Sequence, residues 1–371
     1  MRKFSVDSLR PGMILAKPVI GAEGQLYLAT GVELKHRYIH NLRRIGISYV
    51  YIRDPFLGDV EVAEVISEET RREAVKVLKE MFMADKAGMK GQGKVVLDQR
   101  IRPALEKMVS DVLANKDVLV NLSDIRTSDD YTFFHSVNVC TLTLLTVAGM
   151  GYSRTSMEEL GIGALLHDMG KVWIDDKILN KSGSLTPEEY GEIKKHPTFG
   201  FDILSQHKNI SGDSIKVVLQ HHERCDGSGY PYHLEREDIH PAARLVMAVD
   251  VYDALTADRP YRSSIPPHLA IENMFACTGI YDESMVQQFF QHLAAYPVGT
   301  AIRLSNGDLG IVVKNHKGAA LRPVVRVCKS GDGVLYGSPY DINLLEKLNL
   351  VIMDVLTEQE REVELPLQVR W

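Results

Sequence analysis

The chain has 371 residues, of which 45% are apolar and 25% are charged, so two or three ordinary globular domains are expected. Its net charge of -6 argues against general binding to DNA, RNA or an anionic membrane surface, so an anionic substrate must meet local positive charge or metal. The 4 cysteines form no CxxC pair, which argues against a cysteine zinc site and favours free thiols in a reducing cytoplasm.

Residues 1–58 are predicted to form a small α+β module. Residues 1–13 carry charges but no apolar segment, so no signal peptide is expected. Short β-type runs at residues 3–6, 13–19, 25–28 and 47–52 are separated by turn signals. A helix with apolar residues at helical spacing lies between the last two runs and stops at Gly46.

Residues 59–116 are predicted to form a helical connector. An amphipathic helix covers about residues 59–85, and a second helix runs from about Val95 to Leu113 despite Pro103. Two interpretations stay open for this pair. It forms a connector or homodimer interface, or it is a helical hairpin packed on its own domain.

Residues 117–296 are predicted to be almost entirely helical, and residues 297–371 to form a small β-rich unit. Capping boxes mark two helix starts, Ser156 with Glu159 and Thr186 with Glu189. The most apolar stretch, residues 137–150, is interpreted as a buried helix that is too short to span a bilayer. After Tyr296 the apolar residues follow a period of two, and the turn at residues 305–308 indicates a hairpin. The predicted fold is therefore mainly α with two small flanking units.

Seven side chains of the helical body are candidate metal ligands. They are placed at the ends or on the apolar faces of five predicted helices: His135, His167, Asp168, His196, His221, His222 and Asp250. His196 is expected at the end of the helix that starts at Thr186, and Gly170 is expected as a C-cap after Asp168. Each residue alone has an ordinary explanation in a core or at a helix end. Seven in this order favour a metal site, because Asp250 in an apolar helix needs a partner for its charge.

The ligand set predicts a dinuclear centre of the kind that helical bundles build from facing helices. Mixed nitrogen and oxygen ligands suit two six-coordinate Fe or Mn ions better than a closed tetrahedral zinc site. Asp168 is the predicted bridge, because a carboxylate has two oxygens. Two ions roughly 3.5–4 Å apart can activate water and hold a phosphoryl group.

Two segments carry a resemblance to a known family. One is His167-Asp168-Met169-Gly170-Lys171, and the other runs from His221 to Pro231 and ends in Gly-Tyr-Pro. Together they resemble the HD-GYP branch of the HD metal-dependent phosphohydrolases. The similarity continues through residues 178–181, 195–197, 250–256 and 259–262 and covers about residues 120–275. Both flanks also resemble segments that accompany some members of this family.

The resemblance implies an HD-type helical bundle for residues 117–296 and hydrolysis of cyclic di-GMP to linear pGpG. It assigns one metal to His135, His167, Asp168 and Asp250, and the other to Asp168, His196, His221 and His222. Asp168 and Lys171 would be catalytic, with Lys171 meeting a phosphate or helping to protonate the leaving oxygen. The implied substrate-binding residues are Lys171, Asp226, Gly229, Tyr230, Pro231, Arg259 and Arg262. For Tyr230, packing and stacking on a base both stay open.

One position departs from the family pattern. Tyr131 stands four residues before His135, where some members carry a glutamate that allows a third metal, so two metals are expected here. Whether pGpG is cleaved onward to GMP stays open for the same reason. Two alternative functions also remain: an HD phosphohydrolase for another nucleotide or cyclic dinucleotide, and a metal or cyclic di-GMP sensor that signals to a partner protein.

Overall fold

A computed structural model describes residues 1–20, 25–47, 49–58, 60, 63–88, 100–120, 131–181, 183–257 and 264–366. Within these ranges the fold is mainly α, with a small α+β segment near the N-terminus and a β-rich segment near the C-terminus. The predicted fold class is therefore confirmed. Contacts divide the chain into two units. The first contains Met1–Ala63, Leu119–Asp130 and Leu293–Trp371, and the second contains Glu64–Val118 and Tyr131–His292.

The N-terminal segment of the first unit contains short antiparallel strands and one helix. Its elements are β1 (Arg2–Ser5), β2 (Val19–Ile20), β3 (Leu26–Leu28), α1 (His36–Arg44) and β4 (Tyr49–Ile52). β1 pairs with β4, and β2 pairs with β3. The strand predicted over residues 13–19 is wrong for most of its length, because Ile14 and Leu15 make isolated bridges to two different partners.

The second unit is built from helices. In chain order they are α2 (Glu68–Gly88), α3 (Ile101–Ala114), α4 (Tyr131–Gly149), α5 (Arg154–Leu165), α6 (Asp176–Leu179), α7 (Pro187–Ile193), α8 (His196–Leu204), α9 (Gly212–Gln220), α10 (Pro241–Thr256), α11 (Pro267–Ala276) and α12 (Glu283–Phe290). A 3₁₀ helix, Met169–Trp173, lies between α5 and α6. Helices α2 and α3 pack against each other and against α4. Pro103 falls in the first turn of α3, where its missing N–H costs no helical hydrogen bond.

Helix α4 packs against five other helices of its unit, namely α2, α3, α5, α10 and α12. Its segment Thr132–Gly149 is long and apolar enough to cross a membrane, but 72% of that segment is buried inside the protein. The prediction of a buried helix is confirmed. The prediction that the stretch is too short to span a bilayer is wrong, because the helix begins earlier, at Tyr131.

Two predicted helix starts have different outcomes. Thr186 and Glu189 form the predicted capping box at the start of α7. Ser156 is not a cap, since α5 begins at Arg154 and the Ser156 amide donates to the hydroxyl of Ser153 over 3.2 Å. Ser153 is therefore the N-cap of this helix, and its hydroxyl satisfies the Ser156 amide.

The C-terminal segment of the first unit forms one antiparallel sheet. Its elements are β5 (Ala301–Leu304), β6 (Leu309–Lys314), β7 (Val324–Lys329), β8 (Leu335–Asn343), β9 (Ile352–Val355) and α13 (Glu358–Glu364). The strand order is β8-β7-β6-β5-β9. The predicted hairpin at residues 305–308 is confirmed, with Ala301 opposite Ile311. Strand β8 was not predicted, because most of its residues are exposed and it therefore lacks the alternating apolar pattern.

A buried ion pair joins the two ends of the first unit. Nη2 of Arg361 in α13 lies 3.0 Å from Oδ2 of Asp54, and Nη1 of Arg361 donates to the Gly299 carbonyl over 2.7 Å. Both charged side chains are buried. Arg2 Nη1 also donates to the Leu365 carbonyl over 3.2 Å, so several polar contacts join the N-terminal and C-terminal segments of this unit.

Candidate metal centre

Five helices of the second unit bring the seven candidate ligands together. His135 lies in α4, His167 and Asp168 follow α5, His196 begins α8, His221 and His222 follow α9, and Asp250 lies in α10. His196 is therefore the first residue of a helix and not the last residue of the preceding one, as the sequence had suggested. His135 likewise lies in the second turn of α4 and does not open it.

The seven ligands fall into two groups. One group contains Asp168, His196, His221 and His222, and the other contains His135, His167 and Asp250. In each group the nitrogen and oxygen atoms that could bind a cation lie within 4.8 Å of one another. All are buried except His222, whose side chain is 24% exposed. This exposed edge provides a direction from which a substrate can approach.

Asp168 lies between the two groups. Its Oδ1 is 3.4 Å from Nε2 of His196 and 4.0 Å from Nε2 of His221. Its Oδ2 is 3.5 Å from Nε2 of His167 and 4.0 Å from Nε2 of His135. The two carboxylate oxygens therefore face different groups, which is the arrangement that a carboxylate shared by two cations requires.

Local backbone contacts orient three of the imidazoles. The Nδ1 atoms of His167, His196 and His221 lie 2.8, 2.7 and 2.8 Å from the carbonyl oxygens of the residues three positions earlier. Each Nδ1 therefore carries the proton, and each Nε2 presents a lone pair to the interior. Outer hydrogen bonds of this kind commonly fix the tautomer of metal-binding histidines.

Several buried atoms of the site fit a bound cation. Among the described residues, Nε2 of His167 and Oδ1 of Asp168 are buried without a hydrogen-bond partner. Nε2 of His196 lies 3.1 Å from Nε2 of His221, so two lone pairs face each other. Unpartnered buried acceptors are costly, and a divalent cation that several of them share removes that cost. The residues present thus fit a metal centre.

Burial and neighbouring charge set the protonation of the imidazoles. Burial lowers the pKa of His196 to about 3 and that of His222 to about 4, so both are neutral near pH 7. Burial also opposes the charged form of His135, but hydrogen bonds to Asp250 and Asp253 raise its pKa to about 9. Neutral imidazoles are the form that binds metal, so His135 must release a proton when it does so.

Lys171 lies beside the shared carboxylate. Its Nζ donates to Oδ2 of Asp168 over 2.6 Å, and its side chain is 29% exposed. Although burial opposes ionisation of Asp168, the Lys171 ammonium and the nearby imidazoles hold the pKa of this carboxyl well below its usual value. The ammonium thus touches the buried carboxylate while it stays partly open to solvent.

Gly170 has a different role from the predicted C-cap. Its φ is not in the left-handed region, and a Cβ at this position would lie 1.9 Å from the His196 carbonyl oxygen and 2.5 Å from the Gly200 amide nitrogen. The glycine is required because the 3₁₀ helix and the start of α8 approach each other closely. This contact places Asp168 and His196 side by side.

The loop after His222 covers one edge of the site. The Tyr230 ring stacks on the His222 ring, with centroids 4.7 Å apart and planes 25° apart. A Cβ on Gly229 would lie 2.4 Å from the Arg224 amide nitrogen, which only glycine avoids. Pro231 is half-buried. Asp226 is exposed, and its Oδ1 accepts from the Ser228 amide over 3.0 Å.

Some predicted residues are not placed by the structure. Arg259 and Arg262 lie outside the described residues, and so does the side chain of Tyr131. Two residues near the site were given no role by the sequence. Asp253 accepts from His135, and the buried carboxylate of Glu223 accepts from the Tyr232 and Leu234 amides. Asp253 could have been identified from the sequence, because it follows the candidate ligand Asp250 by one helical turn and so lies on the same face of the helix.

Comparison with known proteins gives two family matches. Residues 107–285 match the model described as HD domain, and residues 301–364 match the model described as KOW domain associated with HD domain. The chain is 38% identical over 223 residues to a cyclic di-GMP phosphodiesterase of Pseudomonas aeruginosa, covering 60% of this chain and 54% of that protein. It is 27% identical over 285 residues to the 3'3'-cGAMP-specific phosphodiesterase 2 of Vibrio cholerae, covering 70% and 54%.

The chain therefore spans about half the length of these two curated relatives. Among solved structures it is similar to an HDG"Y"P protein from Bdellovibrio bacteriovorus. The TM-score is 0.51 at 21% sequence identity, and the match covers 77% of this chain and 97% of the other. This similarity supports the fold.

Proposed function

We propose that this chain, whose residues 107–285 match the model described as HD domain, is a metal-dependent phosphodiesterase that hydrolyses cyclic di-GMP to linear pGpG. The observation that carries the proposal is Asp168, whose two buried oxygens face two different sets of imidazoles. The name of the Pseudomonas relative supports the substrate.

The cofactor is proposed to be a pair of divalent ions, Fe or Mn. One ion would be held by His135, His167, Asp168 and Asp250, and the other by Asp168, His196, His221 and His222. When bound, they would supply Lewis-acid stabilisation of phosphoryl oxygens and lower the pKa of a water molecule. Mixed imidazole and carboxylate ligands, with no cysteine among them, are the reason for preferring these ions to structural zinc.

The chain's own residues have three tasks in this reaction. The buried imidazoles stay neutral and aim Nε2 inward, because backbone carbonyls hold their Nδ1 protons. Asp168 stays ionised, since Lys171 donates to it. With Asp168 engaged as a metal ligand, the Lys171 ammonium would be available to contact a phosphate oxygen or to protonate the leaving oxygen.

A second candidate substrate is a different cyclic dinucleotide. The specific observation in its favour is the match to a 3'3'-cGAMP-specific phosphodiesterase over 70% of this chain. Both substrates present the same 3',5'-phosphodiester to the metal ligands, so the distinction depends on base recognition. Parallel assays with the two dinucleotides separate these candidates, and the ratio of kcat/KM values decides between them.

The proposal is tested by anaerobic purification, reloading with Fe(II) or Mn(II), and chromatography of the products formed from cyclic di-GMP. We expect pGpG as the main product and about two metal ions per chain. Rapid conversion of pGpG to GMP would mean that Tyr131 does not limit the reaction to one cleavage. Two bound metals without turnover would overturn the enzyme proposal and favour a sensor that signals to a partner protein.

The cellular setting is part of the proposal. We propose a cytoplasmic enzyme that acts on a small nucleotide and does not insert into membranes, in agreement with the burial of α4. Helices α2 and α3 are the surface to examine for homodimer formation. Light scattering of the full chain, with and without substitutions on their exposed faces, is the corresponding measurement.

A further inference from the structure

A cationic and aromatic cluster lies next to the metal ligands. Nζ of Lys194, the C-cap residue that follows α7, lies 4.8 Å from the centre of the Tyr190 ring and 5.3 Å from the centre of the Tyr230 ring. The Tyr230 ring is stacked on the candidate ligand His222 and lies 6.5 Å from the ring of His196. The Tyr230 ring therefore lies between Lys194 and two proposed ligands of one metal, His196 and His222.

The charge of Lys194 is not neutralised by a neighbouring carboxylate. Lys171, Lys181 and Lys195 each place Nζ 2.6 Å from an acidic oxygen, belonging to Asp168, Glu189 and Glu192 respectively. Among the described residues, no carboxylate lies within ion-pair distance of Lys194, and its Nζ lies over the rings of Tyr190 and Tyr230. Its ammonium is thus held in place by aromatic faces and keeps its charge for another partner.

Tyr190 provides an aromatic ring that the protein covers only in part. The residue is 48% exposed, whereas one face of Tyr230 already packs on His222. An exposed aromatic ring beside a cation is suited to a planar base that carries a phosphate, since stacking on an aromatic ring stabilises any base. Tyr190 is better placed than Tyr230 for this contact because its ring is open to solvent.

A cyclic dinucleotide has two phosphodiesters and two bases, but the metal ligands can hold only the phosphodiester that is cleaved. We propose that Lys194 and Tyr190 form a subsite for the remainder of the substrate, in which Lys194 binds the second phosphate and Tyr190 stacks on a base. The inference rests on the proposed phosphodiesterase function. The proposed subsite places recognition of the second phosphate and of a base at α7 and its C-cap. Both lie outside the two segments that carry the resemblance to the family.

The test compares two pairs of variants of the metal-loaded full chain. Lys194→Ala is matched with Lys195→Ala, whose ammonium is already paired with Glu192. Tyr190→Ala is matched with Tyr152→Ala, which changes an exposed tyrosine three positions after the end of α4 and 17 positions after His135. The substrates are cyclic di-GMP and bis(4-nitrophenyl) phosphate, which has a single phosphate and no purine.

We expect Lys194→Ala to raise KM for cyclic di-GMP about tenfold, the effect of one lost hydrogen bond to a charged group. The rise in KM for bis(4-nitrophenyl) phosphate should be about tenfold smaller, and metal content should not change. Tyr190→Ala should raise KM for cyclic di-GMP in the same way, and Tyr190→Phe should restore it because the ring is retained. Lys195→Ala and Tyr152→Ala should resemble the parent protein.

Three results would overturn the inference. The first is an equal KM for cyclic di-GMP in Lys194→Ala and Lys195→Ala. The second is an equal loss on both substrates, or a loss of metal, which would mean that Lys194 only supports the fold near His196. The third is a parent protein that cleaves bis(4-nitrophenyl) phosphate but not cyclic di-GMP. This last result rejects the proposed substrate, and the subsite with it, and is distinguishable from the other two.

Discussion

The Nδ1 atom of His135 lies 2.7 Å from Oδ2 of Asp253, and this carboxylate belongs to a longer polar chain. Oδ1 of Asp253 accepts from Asn138 Nδ2 over 3.0 Å, and Asn138 Oδ1 accepts from Arg71 Nη1 over 2.8 Å. Asp253 and Asn138 are buried. A candidate metal ligand in α4 is thus connected through α10 to the side of helix α2.

Asp253→Ala should weaken the metal site that contains His135. The substitution removes the acceptor that holds the imidazole in one tautomer, and such outer partners are worth about ten- to hundredfold in metal affinity. Competition with a metal-sensitive dye measures this affinity for each variant. Asp202→Ala, which removes an exposed carboxylate in α8, is the control. Unchanged affinity in Asp253→Ala would show that packing alone orients His135.

Asp168→Ala should remove metal and activity together. Each of its oxygens faces one of the two ligand groups, so we expect both ions to be affected rather than one. Metal counted per folded chain and turnover of cyclic di-GMP are the two measurements, with circular dichroism as the check on folding. Full turnover in this variant would end the proposal of a carboxylate shared by two ions.

Gly170→Ala should destabilise the second unit by about 3 kcal/mol, since the new methyl group would overlap backbone atoms of α8. The matched change is Gly191→Ala in α7, where no atom lies within 4 Å of the added Cβ. This control should stabilise the protein by about 1 kcal/mol, because alanine is the better helix former. Urea unfolding measures both. Equal midpoints for the two variants would contradict the close contact between the 3₁₀ helix and α8.

Glu223→Gln should loosen the loop that carries Tyr230. The carboxylate accepts from the Tyr232 and Leu234 amides over 2.7 and 3.1 Å, and an amide side chain can satisfy only one of them. One buried amide left without a partner costs about 2 kcal/mol. Hydrogen exchange over residues 229–235 should therefore become faster, whereas exposed Glu235→Gln should leave it unchanged. If residues 229–235 exchanged slowly in both variants, a contact other than Glu223 would have to hold the loop in place.

The stability of chelator-treated protein should be greatest near pH 6.5. His196 has a folded pKa of about 3, so below pH 6.5 the unfolded chain binds more protons and stability falls as the pH falls. His135 has a folded pKa of about 9, so its stabilisation is complete below pH 6.5 and is lost as the pH rises towards 9. On either side of this maximum, the free energy of unfolding should change by at most about 1.4 kcal/mol per pH unit for each histidine.

Urea unfolding at pH 5, 6.5 and 8.5 measures this dependence. His135→Asn should lose the alkaline limb and keep the acidic one, because the raised pKa belongs to His135 alone among the imidazoles of the site described here. A rise in stability from pH 5 through pH 8.5 in the parent protein would contradict the assignment.

Some short-range features of this protein were predictable from its sequence, although the caps predicted at Ser156 and Gly170 were wrong. The capping box at Thr186 and the hairpin at residues 305–308 depend on hydrogen bonds between residues a few positions apart. The carbonyl contacts that turn His167, His196 and His221 inward are also local, each to the residue three positions earlier, but they were not predicted from the sequence. The seven ligand types were also visible, because polar residues at the ends of apolar helices stand out in the pattern.

Long-range relationships were decided only by the tertiary structure. His135 and Asp253 are 118 positions apart, and which helix faces meet there depends on how α4 and α10 pack. The requirement for Gly170 arises from the backbone of α8, and the pairing of Asp54 with Arg361 joins segments 307 positions apart. Helical periodicity states which face of a helix is buried, but not which partner covers it. For this reason the sequence determined the chemistry of the ligands, whereas packing determined their grouping around Asp168.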